Sequence, residues 1–196
     1  MAHLVGPGSS KGYDPKAMAP PILIVSGPPA AGKSAFCHAF ADRFGRAVVI
    51  PVDILRFWVV SGRMDTLDGW SDETERQFIL AENAAVDVAL RYQEAGFAVA
   101  IDHCRRPQVL EELFEARLSG VKAAKIAILP PLDLCLQRSE TRTNKDFHHS
   151  ELTEVIIGVH KGYSERDLAG KGWIVTENKG TLNEALDEVL SRMALR

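Results

Sequence analysis

The feature that most limits what this chain can become is a glycine turn placed at the end of its first apolar run. Ile22-Leu23-Ile24-Val25 is an unbroken aliphatic stretch, the pattern of a strand buried on both faces. It leads into Gly27-Pro28-Pro29-Ala30-Ala31-Gly32-Lys33-Ser34, and Phe36, Ala39, Phe40 and Phe44 then recur at helical spacing until Gly45. G-x-x-x-x-G-K-S between a strand and a helix is a device for holding phosphate. Glycines let the backbone of residues 27–35 (through Ala35) wrap an anion, the N–H groups it carries turn inward, and the helix start adds its positive dipole end. Lys33 is placed to reach β- and γ-phosphates and the Ser34 hydroxyl to ligate Mg²⁺, so the segment implies a bound nucleoside triphosphate, ATP by preference.

The rest of the chain alternates. Ala47 to Val52, Phe97 to Ile101, Lys125 to Leu129 and Trp173 to Val175 are further strand candidates. Between them lie helical patterns. Asp72 with Glu75 predicts an N-terminal cap for a helix whose apolar stripe is Phe78, Ala81, Ala85, Val88 and Tyr92, ending at Gly96. Pro107 opens the next helix, Pro130-Pro131 another, Ser150 is read as the cap of a third, and Thr181 with Glu184 forms a capping box for the last. Strands alternating with helices predict an α/β fold with a parallel sheet covered on both faces.

Composition narrows the setting. Lys+Arg is 23 and Asp+Glu is 26, a formal charge of −3, which argues against a chain wrapped in nucleic acid. The three cysteines, Cys37, Cys104 and Cys135, form no C-x-x-C pair, so neither a disulfide framework nor a zinc site is indicated and a reducing cytoplasm is the expected location. No apolar run approaches membrane-spanning length. Residues 1–20 read as a flexible Gly/Pro/Ser leader and residues 21–196 as one domain.

Four groups sit where strands end, the usual ligand edge of an open α/β sheet. Asp53-Ile54-Leu55-Arg56 follows the second strand: Asp53 is placed to take the proton of an attacking hydroxyl and Arg56 to hold the acceptor. Asp102 closes the third strand, the usual form of the second Mg²⁺ determinant beside Ser34, and Arg105 or Arg106 is expected to face phosphate or acceptor. Arg138 and Arg142, spaced i, i+4, share a helical face and suit a lid over the polyphosphate. Lys145, His148 and His149 in the same stretch read as surface or acceptor-side residues. Glu177-Asn178-Lys179-Gly180-Thr181 lacks the Asp of a guanine-reading N-K-x-D and is expected to flank adenine instead. Phe57, Trp58 and Phe78 are expected in the core, and Trp70, in a polar neighbourhood, on an acceptor ring.

Taken in order, the phosphate loop at 27–34, D-x-x-R at 53–56, Asp102 and R-x-x-x-R at 138–142 resemble the small P-loop kinases that include polynucleotide 5′-hydroxyl kinases, zeta toxins, chloramphenicol phosphotransferase and gluconate kinase. The resemblance spans about residues 21–193 and implies a P-loop NTPase three-layer sandwich: five parallel strands, helices on both faces and a small arginine-bearing lid, about 131–149. It implies ATP and Mg²⁺, with Asp53 as general base, Arg56 on acceptor or phosphate, and Arg138 and Arg142 as lid arginines. The function expected is transfer of the γ-phosphoryl group to a hydroxyl of a small molecule. A polynucleotide or nucleotide-sugar acceptor is the alternative, nucleic acid being less favoured by the charge balance, and a non-catalytic nucleotide switch is the third reading.

Overall fold

A computed structural model of the chain describes residues 19–66, 69–140 and 149–194. The elements run β1 (Ile22–Ser26), α1 (Lys33–Ala41), β2 (Ala47–Pro51), α2 (Val52–Phe57), α3 (Asp72–Glu94), β3 (Ala98–Asp102), α4 (Pro107–Leu118), β4 (Ala123–Ile128), α5 (Leu132–Glu140), α6 (His149–Ser164), β5 (Trp173–Thr176) and α7 (Leu182–Ala194). All five strands are parallel, in the order β2-β3-β1-β4-β5. This is the expected α/β sandwich. The expected leader lies, through residue 18, outside the described residues, as does the lid segment 141–148 with Arg142, Lys145 and His148.

The two-residue period of a strand divides the core into two layers. Leu23 and Val25 point to one face, where Phe36 and Phe40 of α1 and Leu186 and Val189 of α7 cover them. Ile22 and Ile24 point to the other, against Ala81, Ala85 and Ala89 of α3 and Leu110 of α4. Alanines on α3 let that helix sit close to the sheet. β1 is buried along its whole length, which explains why its sequence carries no polar alternation.

Three local expectations are corrected. The cap of α3 is Ser71, whose side chain accepts from Thr74 N–H at 3.1 Å while the Ser71 N–H donates to Thr74 Oγ1 at 3.3 Å. Asp72 and Glu75 lie in the first turn beyond it. The apolar stripe of α3 rotates away before its end, so Tyr92 is 41% exposed. α6 is already helical at His149, the first described residue of this stretch, so Ser150 lies within the helix rather than at its cap. The box at Thr181 forms as read, with Thr181 N–H donating to Glu184 Oε2 at 2.8 Å and Glu184 N–H to Thr181 Oγ1 at 3.3 Å. Among the described residues no helix is long and apolar enough to cross a membrane.

Because the capping oxygen belongs to Ser71, Ser71→Ala should lower stability by about 0.5–2 kcal/mol, whereas Asp72→Ala should cost only about 0.3–1 kcal/mol through the helix dipole. Urea denaturation of the two variants against the parent checks the order.

Candidate functional site

Register alone gathers the central groups. In the parallel ladder Asp102 stands opposite Val25 on one side and Pro51 on the other. Gly27 lies two residues beyond Val25, and Asp53 two residues beyond Pro51. Neighbouring strands are about 4.8 Å apart. Phosphate loop, Asp102 and Asp53 therefore share one rim of the sheet.

The loop has the backbone its glycines predict. Gly27 has φ 140°, and a Cβ there would lie 2.2 Å from the Ile128 carbonyl oxygen, so only glycine lets β1 turn this close to β4. Gly32, at φ 97°, is the left-handed N-cap of α1. Ala30 also takes a positive φ of 60°. Lys33 Nζ lies back over the turn, donating to Gly27 O at 3.1 Å and Pro28 O at 2.8 Å. Ser34 Oγ donates to Asp102 Oδ2 at 2.6 Å. Two hard oxygen groups 68 residues apart thus converge beside the loop, a donor set that fits Mg²⁺, which takes one or two protein oxygens and completes its shell with phosphate and water. Cys37, on the next turn of α1, is pushed well up by burial and then by Asp102, so it stays a thiol.

Arg138 reaches the loop from α5. Its guanidinium donates to Ala31 O at 3.3 Å and to Asn178 O at 3.2 Å. Asn178 is 8% exposed, has φ 47°, and donates through Nδ2 to the same Ala31 carbonyl at 3.3 Å. Arg138 and the turn after β5 therefore meet on one flank of the loop, beside a cavity of about 390 Å³ bordered by Thr176 to Gly180. Sequence reading placed this turn next to a base; Asn178 as its anchor emerges only from the fold.

On the opposite flank α2 carries Asp53, half-buried in its first turn, and Arg56. Arg56 stacks on the Phe78 ring, 3.8 Å from its centroid, and donates from Nη2 to Met64 O at 3.1 Å, while its Nε is buried without a partner. Burial lowers its pKa from the ordinary value against the pull of Asp53 and Asp65. Phe78 is in the core as expected, but Phe57 and Trp58 are exposed, because α2 is only six residues long and turns its far end out of the sheet's cover. Trp70 is half exposed and donates from Nε1 to Glu75 Oε2 at 2.8 Å.

Arg105 does not face a ligand. It is 4% exposed and pairs with Glu75 and, through Nε at 2.7 Å, with Glu82. Glu82 Oε1 is also hydrogen-bonded to His103 Nε2 at 2.9 Å. A guanidinium so enclosed must be paired, and two carboxylates of α3 pair it. Arg106, the N-cap of α4, is the exposed member of the two. The Tyr163 hydroxyl of α6 joins the same layer, 2.6 Å from Ser26 Oγ and 2.9 Å from Arg105 O. Sequence reading missed Glu82, His103 and Tyr163; the available signal was Glu82 standing next to Ala81 on an otherwise apolar helix face.

Burial works against the Glu82 carboxylate, but hydrogen bonds from His103 and Arg105 and the Arg105 charge outweigh it and hold its pKa below the ordinary value. Glu75 is held down first by its hydrogen bond from Arg105. Carboxylates lowered in the folded state contribute stability that is complete above their unfolded pKa, about 4.3, and is lost as pH falls through the lower folded values. Glu82→Gln should therefore be less stable at pH 7 and lose less on acidification below about pH 4.3. Urea midpoints measured across that range check the slope; parallel curves for variant and parent would remove Glu82 from the acid response.

No curated protein matches this sequence. Several solved structures share its fold. A sugar kinase from Janibacter sp. HTCC2649, solved unliganded, superposes with a TM-score of 0.62 at 15% identity, covering 88% of this chain and 93% of its own. A gluconokinase from Sinorhizobium meliloti 1021 gives 0.63 at 17% identity over 90% and 93%. The tunicamycin resistance protein of Deinococcus radiodurans gives 0.55 at 16% identity over 88% and 95%. At these identities the likeness is one of fold. The sequence itself matches the AAA_33 model, described as an AAA domain, over residues 22–162. That stretch runs from β1 through α6 and takes in the loop, Asp53, Asp102 and Arg138, and on it the chain belongs to the AAA_33 family of AAA domains.

Proposed function

We propose that this protein is a phosphotransferase that moves the γ-phosphoryl group of ATP to a hydroxyl of a small molecule. The observation that carries the proposal is the convergence of Ser34 and Asp102, 2.6 Å apart, on the rim that also holds Asp53. A nucleotide switch needs the first pair; a carboxylate beside it, on a separate helix with an arginine, is what an attacking alcohol requires. The gluconokinase and sugar kinase share the architecture and are named for this class of reaction, which adds support.

In the proposed reaction the non-proline backbone N–H groups of the 27–34 loop hold the β- and γ-phosphates and Lys33 leaves the Gly27 and Pro28 carbonyls to pair with them. Ser34 and Asp102 would hold Mg²⁺, which would supply charge neutralisation on the transferring group. Arg138 and the Asn178 turn border the nucleotide on its outer flank. Asp53 orients the acceptor hydroxyl and accepts its proton. The acceptor oxygen bonds to the γ-phosphorus as the bond from that phosphorus to the β–γ bridging oxygen breaks, and the electron pair leaves with ADP. Positioning and electrostatics supply most of the rate. Arg142, outside the described residues, keeps its proposed place as the second lid arginine.

Asp53→Asn should bind a fluorescent ATP analogue within about twofold of the parent and lower transfer by about 10²–10⁴-fold. Lys33→Ala should instead lose the nucleotide itself. Incubation with ATP and a panel of hydroxyl compounds, with mass detection of the phosphorylated product, provides the assay. Full transfer by Asp53→Asn would dismiss that residue as base, and hydrolysis of ATP with no product from any alcohol would favour the switch.

A further inference from the structure

The wall beside Asp53 is built from stacked planes. Phe78, 5% exposed, is its centre. The Arg56 guanidinium lies on this ring at 3.8 Å, the Trp70 ring packs against it with centroids 4.8 Å apart, and Arg105 stands 5.0 Å from both rings. One turn along α2 from Asp53, Phe57 carries Arg63 at 4.8 Å from its centroid. Around the buried centre the outer rings are open: Trp70 is 51% exposed, Phe57 56% and Trp58 70%.

These rings are also held in place. Gln77, 7% exposed, donates from Nε2 to Gly62 O at 2.8 Å and accepts from Met64 N–H at 3.0 Å, while Arg56 donates to Met64 O. The loop after α2 is thus pinned to α3 from inside while its tip shows apolar surface to solvent, ending in Val60 at 98% exposed. An exposed apolar patch rimmed by charge and continuous with a reactive carboxylate marks a binding wall. A polyol site needs hydroxyl and amide side chains to replace the water of each substrate hydroxyl. This wall offers instead aromatic faces alternating with guanidinium planes, the surface on which flat π-systems stack.

Resting on the phosphotransferase reading, we propose that the acceptor carries, beside its aliphatic hydroxyl, a flat aromatic or heteroaromatic ring system, and that this ring stacks against the Phe57 and Trp70 faces while the hydroxyl meets Asp53. Nucleosides, nucleic-acid ends and simple aryl alcohols share this chemistry, and the experiment separates them. A bare sugar or sugar acid has no flat π-face to stack on this wall, so the proposed substrate class departs from what the architecture's gluconokinase is named for.

The test uses the full chain with MgATP and five probes: adenosine, a 5′-hydroxyl dinucleotide, 2-phenylethanol, gluconate and glucose. Product is read by mass and binding by intrinsic fluorescence. Of the three tryptophans Trp58 and Trp70 lie on the wall, and Trp173 is fully buried. At least one ring-bearing alcohol should quench the fluorescence saturably and be phosphorylated with kcat/KM about tenfold or more above gluconate and glucose. Phe57→Ala and Trp70→Leu should each raise its KM about tenfold, with the KM for ATP unchanged and a cooperative melting transition retained. Transfer to gluconate or glucose without quenching overturns the ring proposal and leaves the phosphotransferase standing. Quenching by a ring-bearing alcohol with transfer to none of the five counts against the phosphotransferase while the stacking wall survives. Neither quenching nor transfer, an unchanged KM in both variants, or a concentration-dependent dimer that buries the two tryptophans without any acceptor overturns the proposal.

Discussion

The site depends on one steric constraint: a strand buried on both faces must turn at Gly27 within van der Waals reach of the Ile128 carbonyl. No side chain fits there. The turn carries the chain across the rim of the sheet, and the left-handed Gly32 then starts α1. The loop is held by the central strand β1 and its neighbour β4, so its backbone shape is set by the sheet.

A second constraint joins the halves of the site. The aspartate of β3 meets Ser34 of the glycine loop, whereas the aspartate of α2 is the group proposed for the acceptor side, and that proposal needs both to be fixed relative to each other. The ladder fixes the strand ends, since Asp102 is opposite both Val25 and Pro51. Arg105 then ties the residues after β3 to α3 through Glu75 and Glu82, and stacks on Trp70 and Phe78, which support Arg56. A buried guanidinium is a costly way to gain stability, and its value here lies in direction: it can be satisfied in only one arrangement of the two elements. The arginine that sequence order offered to a ligand is instead paired with two carboxylates of α3 and packed beside Trp70 and Phe78.

The degree to which residues announced their roles follows from how local each role is. The loop, the five strands and the box at Thr181 were legible because period, turn glycines and caps act within a few residues. The cap of α3 was misread by one position because Ser71, Asp72 and Glu75 all carry plausible capping oxygens, and backbone geometry chooses among them. Arg105 and Arg106 are adjacent and chemically identical; only the pairing of one with carboxylates thirty and twenty-three residues away separates the buried member from the exposed one. Phe57 and Trp58 looked like core by composition, and they are exposed because the helix carrying them ends just past the sheet edge.

What the chain determined by itself is the phosphate nest and the alternating α/β order, since both are written in glycine positions and short-range hydrophobic period. What tertiary structure alone decided is which polar groups meet: Ser34 with Asp102, Arg138 with the Asn178 turn, Arg105 with two carboxylates of α3, and Arg56 with the face of Phe78. Such meetings depend on strand order and register, and in a parallel sheet neighbours in space are joined by crossovers long enough that no local pattern records them.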